Sequence, residues 1–561
     1  MLRSTKIAKV TAHVENWIGH GETTVVFMKS RTRQMTRIKQ RAFFALLLCT
    51  LVGTDLQAQS ISAASCNESD VRTALGKAKT GSTVVIPSCP AGATWTTPEY
   101  FTAPANFTLE GQTVCTGNGS VRSPISCTDK TLLVDGIDRS SGDPPMLAIT
   151  TSAAGTFRMT GITIGWGGGT VTYNGSFRFG GKSVKARVDH IHFNGINALA
   201  FSHYDPVRGV FDHILLDGST GSGWRDYGDT ASSGNLDWSE ATGLGTSDFM
   251  FFENSTFNTA SNDCQQGGHW VVRFSTFNNG GVQTHPTGGA GQARGCRAWE
   301  LYQNTFQNPT TNQFNVFFLS AGTGVVWGNT ASSSNWSNFV TLHSMRRNNS
   351  TYPEGAPPHG WGYCGTSFHG TGSNWDQNTN TTTGYHCMDQ PGQGRGDLLT
   401  GSFPNLCDST SGQCAIHNYN GSWPNEALEP IYEWQNVFEG RTFWSVYETD
   451  AFFANVDYYL WCNASSRTGC RSFNGTVGVG SGTLASRPST CTTGVAYWAT
   501  DQGNWNHSGS GKQGELFKCS ARNTWTLFYT PYIYPHPLDA NSTAPAHFPK
   551  VSSFEAAKEI R

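Results

Sequence analysis

Basic and acidic residues between positions 263 and 302 have the composition of a site that could act on an acidic sugar. β-Elimination from a uronate needs a cation on the carboxylate to acidify the C5 proton, and a base to remove that proton. Arginine suits the first task, whereas histidine, tyrosine, lysine or arginine suits the second. The candidate catalytic residues are His285, Arg273, Arg294, Arg297, Glu300 and Tyr302, with Asp263 nearby. An ordinary surface network of arginines and acids is the alternative interpretation.

A second candidate site is a row of three carboxylates, Asp189, Asp212 and Glu253, each at the second position of a repeated hexapeptide. Equivalent residues in successive coils of a solenoid lie about 4.8 Å apart. Three like charges at that spacing repel unless a cation, a proton or the next residue in the row, Arg273, offsets them. The row predicts a Ca²⁺ site or an acid/base pair. Alternatively, its aspartates only cap tight bends between strands.

Tryptophans near both groups could provide aromatic surfaces for sugar rings. The substrate-binding candidates are Trp270, Trp299, Trp327 and Trp361. Trp327 occupies the same position as the three carboxylates, one coil after Tyr302.

Other classes of function find no support in the sequence. The chain contains no Gly-x-Ser-x-Gly elbow, no phosphate-binding P-loop and no pair of cysteines with zinc-ligand spacing. Its net charge is −2, with 38 Lys and Arg against 40 Asp and Glu, so nucleic acid is not an expected partner. An acidic polysaccharide can bind only where basic residues are locally concentrated.

The elements that would position these residues follow from a degenerate repeat. In all six copies the first and last residues are apolar, and the fourth changes from Ile through Ser to Asn. The copies are 159–164, 188–193, 211–216, 252–257, 272–277 and 301–306. Their variable spacing is typical of solenoid coils with loops of different sizes. With 64 glycines, 33 phenylalanines and 14% charged residues, the chain is predicted to be all-β, a single right-handed parallel β-helix.

The flanking segments complete this interpretation. Val71, Ala74 and Leu75 lie on one apolar face of a short helix that ends before Gly81, and residues 83–86 form a strand. This helix should cap the first coil, whose ladder groups would otherwise be exposed. We expect coils over 59–331, a Cys/Trp/Gly-rich loop insertion over 332–430, final coils and β hairpins over 431–545, and a tail over 546–561.

The N-terminus and the cysteines indicate export. Residues 35–58 combine a basic flank, a short apolar run and a small residue at the end, as in a secretory signal peptide. Residues 1–34 then form a non-structural upstream extension. Of 15 cysteines, only Cys49 lies in the signal, and the even remainder suits an oxidising compartment, extracellular or periplasmic. Local pairs such as Cys66 with Cys89 are the simplest pairing.

The helix-then-strand entry and the six aligned segments resemble the pectate-lyase-like right-handed parallel β-helix superfamily. This resemblance covers roughly 67–306 and implies a secreted carbohydrate-active protein, because the superfamily includes polysaccharide lyases, glycoside hydrolases, esterases and adhesins. The expected function is a polysaccharide lyase that cleaves a uronate-containing glycan as a monomer without a membrane span. The alternatives are a glycoside hydrolase that uses the carboxylate row, and a non-catalytic glycan-binding or adhesion protein.

Overall fold

The computed structural model describes residues 59–168, 175–197, 199–204, 207–230, 234–238, 240–286, 294–307, 315–343, 389–395, 426–447, 452–461 and 473–539. These residues form a parallel β-helix, as the repeat predicts. Most coils contribute one strand to each of three long faces, named here sheets A, B and C. No helix in the described part of the chain is long and apolar enough to cross a membrane.

Sheet A contains twelve parallel strands and includes the first residues of the repeat. Its strands in spatial order are Ser60–Ser62, Thr83–Val85, Phe107–Glu110, Phe157–Thr160, Ala186–Asp189, Gly209–Asp212, Met250–Glu253, His269–Arg273, Ala298–Tyr302, Thr323–Trp327, Ile431–Trp434 and Tyr458–Tyr459. The order follows the sequence, so every coil pairs with the coils directly before and after it.

Sheets B and C are joined through two long strands, Leu215–Tyr227 and Thr256–Gln265, each of which begins in sheet B and ends in sheet C. The other strands of sheet B are Cys89–Trp95, Thr131–Asp135, Thr163–Trp166, His192–Ile196, Thr276–Asn278, Thr305–Gln307, Thr330–Ala331 and Val437–Phe438. The other strands of sheet C are Glu99–Ala103, Leu147–Thr151, Phe177–Gly181, Leu199–Tyr204, Gly281–Thr284, Asn315–Leu319, Asn338–Leu342 and Thr442–Val446.

A two-residue turn leads from sheet A to sheet B in each of the six aligned repeats, and its first residue has a positive φ angle. The residues at this position include His190, His213 and Asn254, with φ between 52° and 54°. Non-glycine residues adopt this left-handed conformation only where the surroundings enforce it. The sharp turn brings the fourth residue of the repeat back inside the coil.

The last residues of the six repeat copies form one inward column. Ile164, Phe193, Leu216, Phe257, Phe277 and Phe306 pair in register along sheet B and are fully buried. The polar residues at the fourth position form a ladder inside the coils. Asn329 donates through Nδ2 to Asn436 Oδ1 (2.9 Å) and to the Leu301 carbonyl (2.8 Å), so the buried amide is satisfied within the stack.

The predicted N-terminal helix spans Glu68–Leu75 and buries Val71, Ala74 and Leu75 against the first coil. The other α-helix within the described residues is a single turn, Asn235–Trp238, and Leu484–Ser486 is a 3₁₀ turn. Four cysteine pairs predicted from proximity are disulfides: Cys66 with Cys89, Cys115 with Cys127, Cys264 with Cys296 and Cys491 with Cys519. The other six mature cysteines lie outside the described residues.

The predicted loop insertion starts later than residue 332, because Asn338–Leu342 is a regular strand of sheet C. Gln393–Arg395 and Glu426–Leu428 pair as a short antiparallel ribbon, as do Val114–Thr116 and Ser126–Thr128. The final coil resumes at Ile431–Trp434, close to where the sequence predicts it.

The C-terminal residues form a four-stranded sheet that covers the outer face of sheet A. Its strands are Val479–Gly482, Ala496–Ala499, Glu515–Ala521 and Thr524–Tyr529. Trp498, Leu516 and Tyr529 pack with Tyr302 and Trp327 in a second hydrophobic core. The hairpins that the sequence predicts are therefore present, but they lie along a side of the solenoid and bury it.

Candidate functional site

The predicted carboxylate row exists. Asp189, Asp212, Glu253 and Arg273 occupy one register of sheet A, continued by Tyr302 and Trp327. These side chains point away from the solenoid core, but residues 473–539, called here the C-terminal segment, cover them. All three carboxylates are fully buried.

Arginines neutralise the row. Arg158 donates two hydrogen bonds to Asp189 (2.7 and 2.8 Å), and Arg187 donates two to Asp212 (2.8 Å each). Arg273 Nε donates to Glu253 (2.6 Å). Because guanidinium groups occupy the carboxylate oxygens that would be ligands, these residues do not fit the expected Ca²⁺ site, which needs several free oxygen donors.

One group of side chains near this row has metal-ligand composition among the described residues: His190, Asp212 and His213. Each imidazole lies with Nδ1 against the preceding aspartate, at 2.7 Å for His190 and 2.6 Å for His213. The two rings are stacked in parallel, with centroids 4.8 Å apart. Because the two rings stack face to face, their nitrogens do not converge on one point. The group therefore does not resemble a chelating site.

Arg273, Tyr302 and Glu300 lie inside the interface between sheet A and the C-terminal segment. Arg273 donates to the hydroxyl of Tyr302 (2.8 Å) and to the carbonyls of Tyr532 (2.8 Å) and Ile533 (2.9 Å). Glu300 accepts from the Tyr529 hydroxyl (2.7 Å), and burial raises its pKa to about 7. Since the C-terminal segment encloses these side chains, their placement favours a structural role.

Arg294 and Arg297 lie at the corner between sheets C and A, where both stack on Trp238. Arg294 is bonded through Nε to both oxygens of Asp389 (2.8 and 2.9 Å). Arg297 Nη1 donates to Glu429 (2.7 Å). Both guanidinium groups are buried, and each is paired with an acid at the edge of the insertion, Asp389 or Glu429.

The tryptophan candidates do not form a surface platform. Trp270 and Trp299 occupy inward positions and lie in the solenoid core. Trp327 is stacked between Tyr302 (4.7 Å between centroids) and Trp434 (5.5 Å) and is buried. Trp361 lies outside the described residues. Inward positions alternate with outward ones along a strand, and the core of these coils is wide enough for indole rings.

His285 belongs to a different set, which lies on the outer face of sheet C. There the register places Arg225 beside Asp263, and Asp263 beside Gln283. His285 follows the strand Gly281–Thr284, and its backbone N–H donates to the Cys264 carbonyl (2.8 Å). We call Arg225, Tyr227, Asp263 and His285 the sheet C cluster. Arg225 and His285 are half-buried, so a ligand could reach them.

Asp263 is the central group of the sheet C cluster. It is buried, and its Oδ2 accepts a hydrogen bond from the Gln265 amide (2.7 Å). Its Oδ1 has no hydrogen-bond partner among the described residues. Burial raises the pKa of Asp263, and the charges of His285 and Arg225 act in the opposite direction. A buried carboxylate with a free oxygen is costly and therefore calls for an explanation.

The neighbouring groups hold defined roles in hydrogen bonding. His285 Nδ1 lies 2.8 Å from the Pro286 carbonyl, which can only accept. Nδ1 therefore carries the proton, and Nε2 is the acceptor of the neutral ring. Arg225 Nη1 donates to the Tyr227 hydroxyl (3.2 Å). Burial raises the pKa of Tyr227, so its hydroxyl stays protonated at neutral pH.

Aromatic side chains extend this face along the coil axis. Tyr204 and Tyr227 stack with centroids 4.8 Å apart and ring planes 9° apart. Several coils further on, His343 lies edge-on to Phe318 (5.6 Å) and to Tyr447 (4.8 Å). Tyr447 is 56% exposed. The face thus combines aromatic stacking surfaces with one cluster of cation, acid and imidazole.

Sequence reasoning identified His285 and Asp263 but missed Arg225, Tyr204 and Tyr227. The repeat aligns only the corner between sheets A and B, and the strands of sheet C follow it after loops of variable length. A usable signal was present: the alternation in 224–227 and in 199–204 places Arg225, Tyr227 and Tyr204 on one side of their strands.

No family model, curated protein or solved structure matches this chain.

Proposed function

We propose that the protein is a secreted polysaccharide lyase that cleaves a uronate-containing glycan on the outer face of sheet C. The observation that carries this proposal is the buried carboxylate of Asp263, which has one unpartnered oxygen and lies beside His285 and Arg225. The four disulfides support export, because such bonds persist in oxidising compartments. The parallel β-helix agrees with the resemblance to the pectate-lyase-like superfamily.

Each group of the sheet C cluster has a step to perform in β-elimination. Arg225 would bind the uronate carboxylate and stabilise the negative charge that develops when the C5 proton leaves. Nε2 of His285 would accept that proton, and the adjacent Asp263 carboxylate would stabilise the resulting imidazolium. The C4–O bond then breaks, a C4=C5 double bond forms, and the Tyr227 hydroxyl would protonate the departing oxygen.

The same face argues against the hydrolase alternative. Glycoside hydrolysis needs two carboxyl groups on either side of the scissile bond, and on the outer side of sheet C the described residues place only Asp263 near Arg225 and His285. The carboxylates of the sheet A row are enclosed and bonded to arginines. A non-catalytic glycan-binding protein would not need a buried, incompletely bonded acid.

A panel of uronate polysaccharides tests the proposal. The expected result is ultraviolet absorbance from an unsaturated uronate, which appears together with new reducing ends in equal amount. New reducing ends without this absorbance would indicate a hydrolase. Binding without either product would indicate a glycan-binding protein, and both results would overturn the lyase proposal.

A further inference from the structure

The C-terminal sheet has a second face, which is turned away from sheet A and is rich in aromatic side chains. Ala496 and Trp498 pack inward in the second core, so Tyr497, between them, points outward. Tyr497 pairs across the sheet with Phe517, and Phe517 pairs with Leu527. Leu527 is 55% exposed, although it lies in the middle of a strand. The outer face of this small sheet is therefore apolar: Tyr497 is buried in it, at 2% exposed, whereas the edge strand at Leu527 is open to solvent.

Arg487 lies on this face, and no described acidic residue forms an ion pair with it. Its guanidinium carbon is 4.6 Å from the ring centroid of Phe517 and 5.4 Å from that of Trp525. The Trp525 indole N–H donates to the Pro488 carbonyl (2.8 Å), which fixes the ring beneath the guanidinium. Arg487 Nη1 is buried and has no hydrogen-bond partner among the described residues. Elsewhere in the described chain, buried guanidinium groups such as Arg273 and Arg187 are paired with carboxylates.

The guanidinium of Arg487 stacks on aromatic rings and has no carboxylate partner among the described residues. It can therefore bind the carboxylate of a ligand. The planar guanidinium can bind a carboxylate through two parallel hydrogen bonds. The surrounding rings offer a flat apolar surface with which the C–H side of a sugar ring can make contact. Burial lowers the pKa of Arg487, which reflects the same incomplete compensation of its charge.

We infer that Arg487, Phe517, Trp525 and Leu527 form a non-catalytic binding surface for the acidic glycan, separate from the sheet C cluster. This inference rests on the proposed function for the identity of the glycan. Charge complementarity selects the occupant: the surface provides a cation and aromatic rings, and a uronate chain provides carboxylates and sugar rings. Such a surface would hold a long polymer to the protein between cleavage events, and it would not affect short oligomers that reach only sheet C.

The test compares Arg487→Gln with Arg522→Gln in the full-length mature protein, by affinity electrophoresis through gels containing polygalacturonate or alginate. Arg522 is exposed on the same C-terminal unit, so its replacement removes the same charge. We expect Arg487→Gln to weaken polymer binding about tenfold, as for loss of a hydrogen bond to a charged group. We expect Arg522→Gln to change it less than about twofold. Equal melting temperatures would show that both variants are folded.

Three results would overturn the inference. Equal weakening by the two variants would indicate general electrostatic attraction, and no weakening by Arg487→Gln would show that the surface does not bind. Equally tight binding of polyglutamate, a carboxylate polymer without sugar rings, would remove the role of the aromatic residues. Formation of unsaturated product is measured separately, so failure of the lyase proposal remains distinguishable: a protein that binds polymers through Arg487 but releases no product keeps this surface and loses the proposed activity.

Discussion

At the scale of single residues, Asp263 is recognised as a candidate functional group because burial of its incompletely bonded carboxylate destabilises the folded protein. Several buried acids of the described chain, such as Asp189, Asp212 and Glu253, are paired with arginines. Asp263 has one bonded oxygen and one without a partner. Natural proteins retain such groups where activity requires them, at the expense of stability.

The first prediction concerns how the destabilisation caused by buried Asp263 depends on pH. Burial raises the pKa of Asp263 above its usual value, so the folded state binds the proton more tightly than the unfolded state. The resulting stability is fully present below the ordinary aspartate pKa of about 3.9 and is lost as pH rises through the folded pKa. Asp263→Asn should therefore raise the melting temperature at pH 7, and this gain should shrink toward pH 4.

Turnover should change in the opposite direction in the same variant, because asparagine cannot stabilise the imidazolium of His285. Thermal melts over a pH series and activity assays on one preparation check both effects. Unchanged activity together with a lower melting temperature at pH 7 would show that Asp263 is a purely structural residue.

How far the sequence predicts the site depends on where the partners of each residue lie. His285 and Asp263 are close in sequence and were identified together. Arg294 and Arg297 looked available because their acidic partners, Asp389 and Glu429, lie 95 and 132 residues away. Local composition cannot reveal such distant partners. The sequence therefore predicts that Arg294 and Arg297 bind a substrate, whereas in the structure acids of the chain itself pair with them.

At the scale of the elements, the solenoid was predictable because every coil repeats the same inward residues. Phe277 lies between Phe257 and Phe306, with ring centroids 4.9 and 4.7 Å away. The strands of sheet C were not predictable in the same way, since loops of variable length separate them from the repeat. The register of sheet C is set by pairing between strands of neighbouring coils. The sequence of one coil alone does not reveal that pairing.

The second prediction tests the inward column. Phe277→Ala removes a fully buried ring from a stack that cannot collapse around the gap, and it should cost about 3 to 5 kcal/mol of unfolding free energy. Val184→Ala is a suitable control, because Val184 is 64% exposed and its truncation should cost less than about 0.5 kcal/mol. Urea denaturation measures both, and equal costs would contradict the stacked core.

The third prediction concerns the covering of sheet A. Arg273→Met leaves the buried carboxylate of Glu253 without its cation, and it also removes two hydrogen bonds to the C-terminal segment. This should destabilise the protein by about 3 to 5 kcal/mol. The double variant with Glu253→Leu should recover much of that loss, because no unpaired charge remains buried.

Activity distinguishes this structural role of Arg273 from a catalytic one. At a temperature where Arg273→Met is folded, its turnover should match that of the parent protein. A large loss of turnover with little loss of stability would return Arg273 to the catalytic group.

At the scale of the whole molecule, the outer faces of the solenoid differ in whether another part of the chain covers them. The C-terminal sheet buries the outside of sheet A, whereas the middle of sheet C keeps half-exposed polar and aromatic side chains. The sequence indicated hairpins at the C-terminus but not their position, because the contacts that place them join residues such as Arg273 and Tyr532, which are 259 positions apart. The same covering explains why the most conspicuous charged row of the sequence is enclosed.

The fourth prediction concerns export. The secreted protein should begin near Gln59 and contain no free thiol among the eight cysteines that pair in the described residues. Intact mass before and after reduction, with thiol alkylation, checks both points. A purified protein with these eight cysteines reduced would contradict the assignment to an oxidising compartment.

The most direct test of the central claim, that the chemistry takes place on the outer face of sheet C, is the rate of unsaturated-product formation by Arg225→Lys and Arg297→Lys on a substrate that the parent cleaves. Lysine keeps the charge but loses the bidentate contact with a carboxylate. We expect Arg225→Lys to lower turnover by about 100-fold or more, while folded Arg297→Lys should keep turnover close to that of the parent. Full activity of Arg225→Lys with loss of activity in Arg297→Lys would instead place the reaction at the corner beside Trp238.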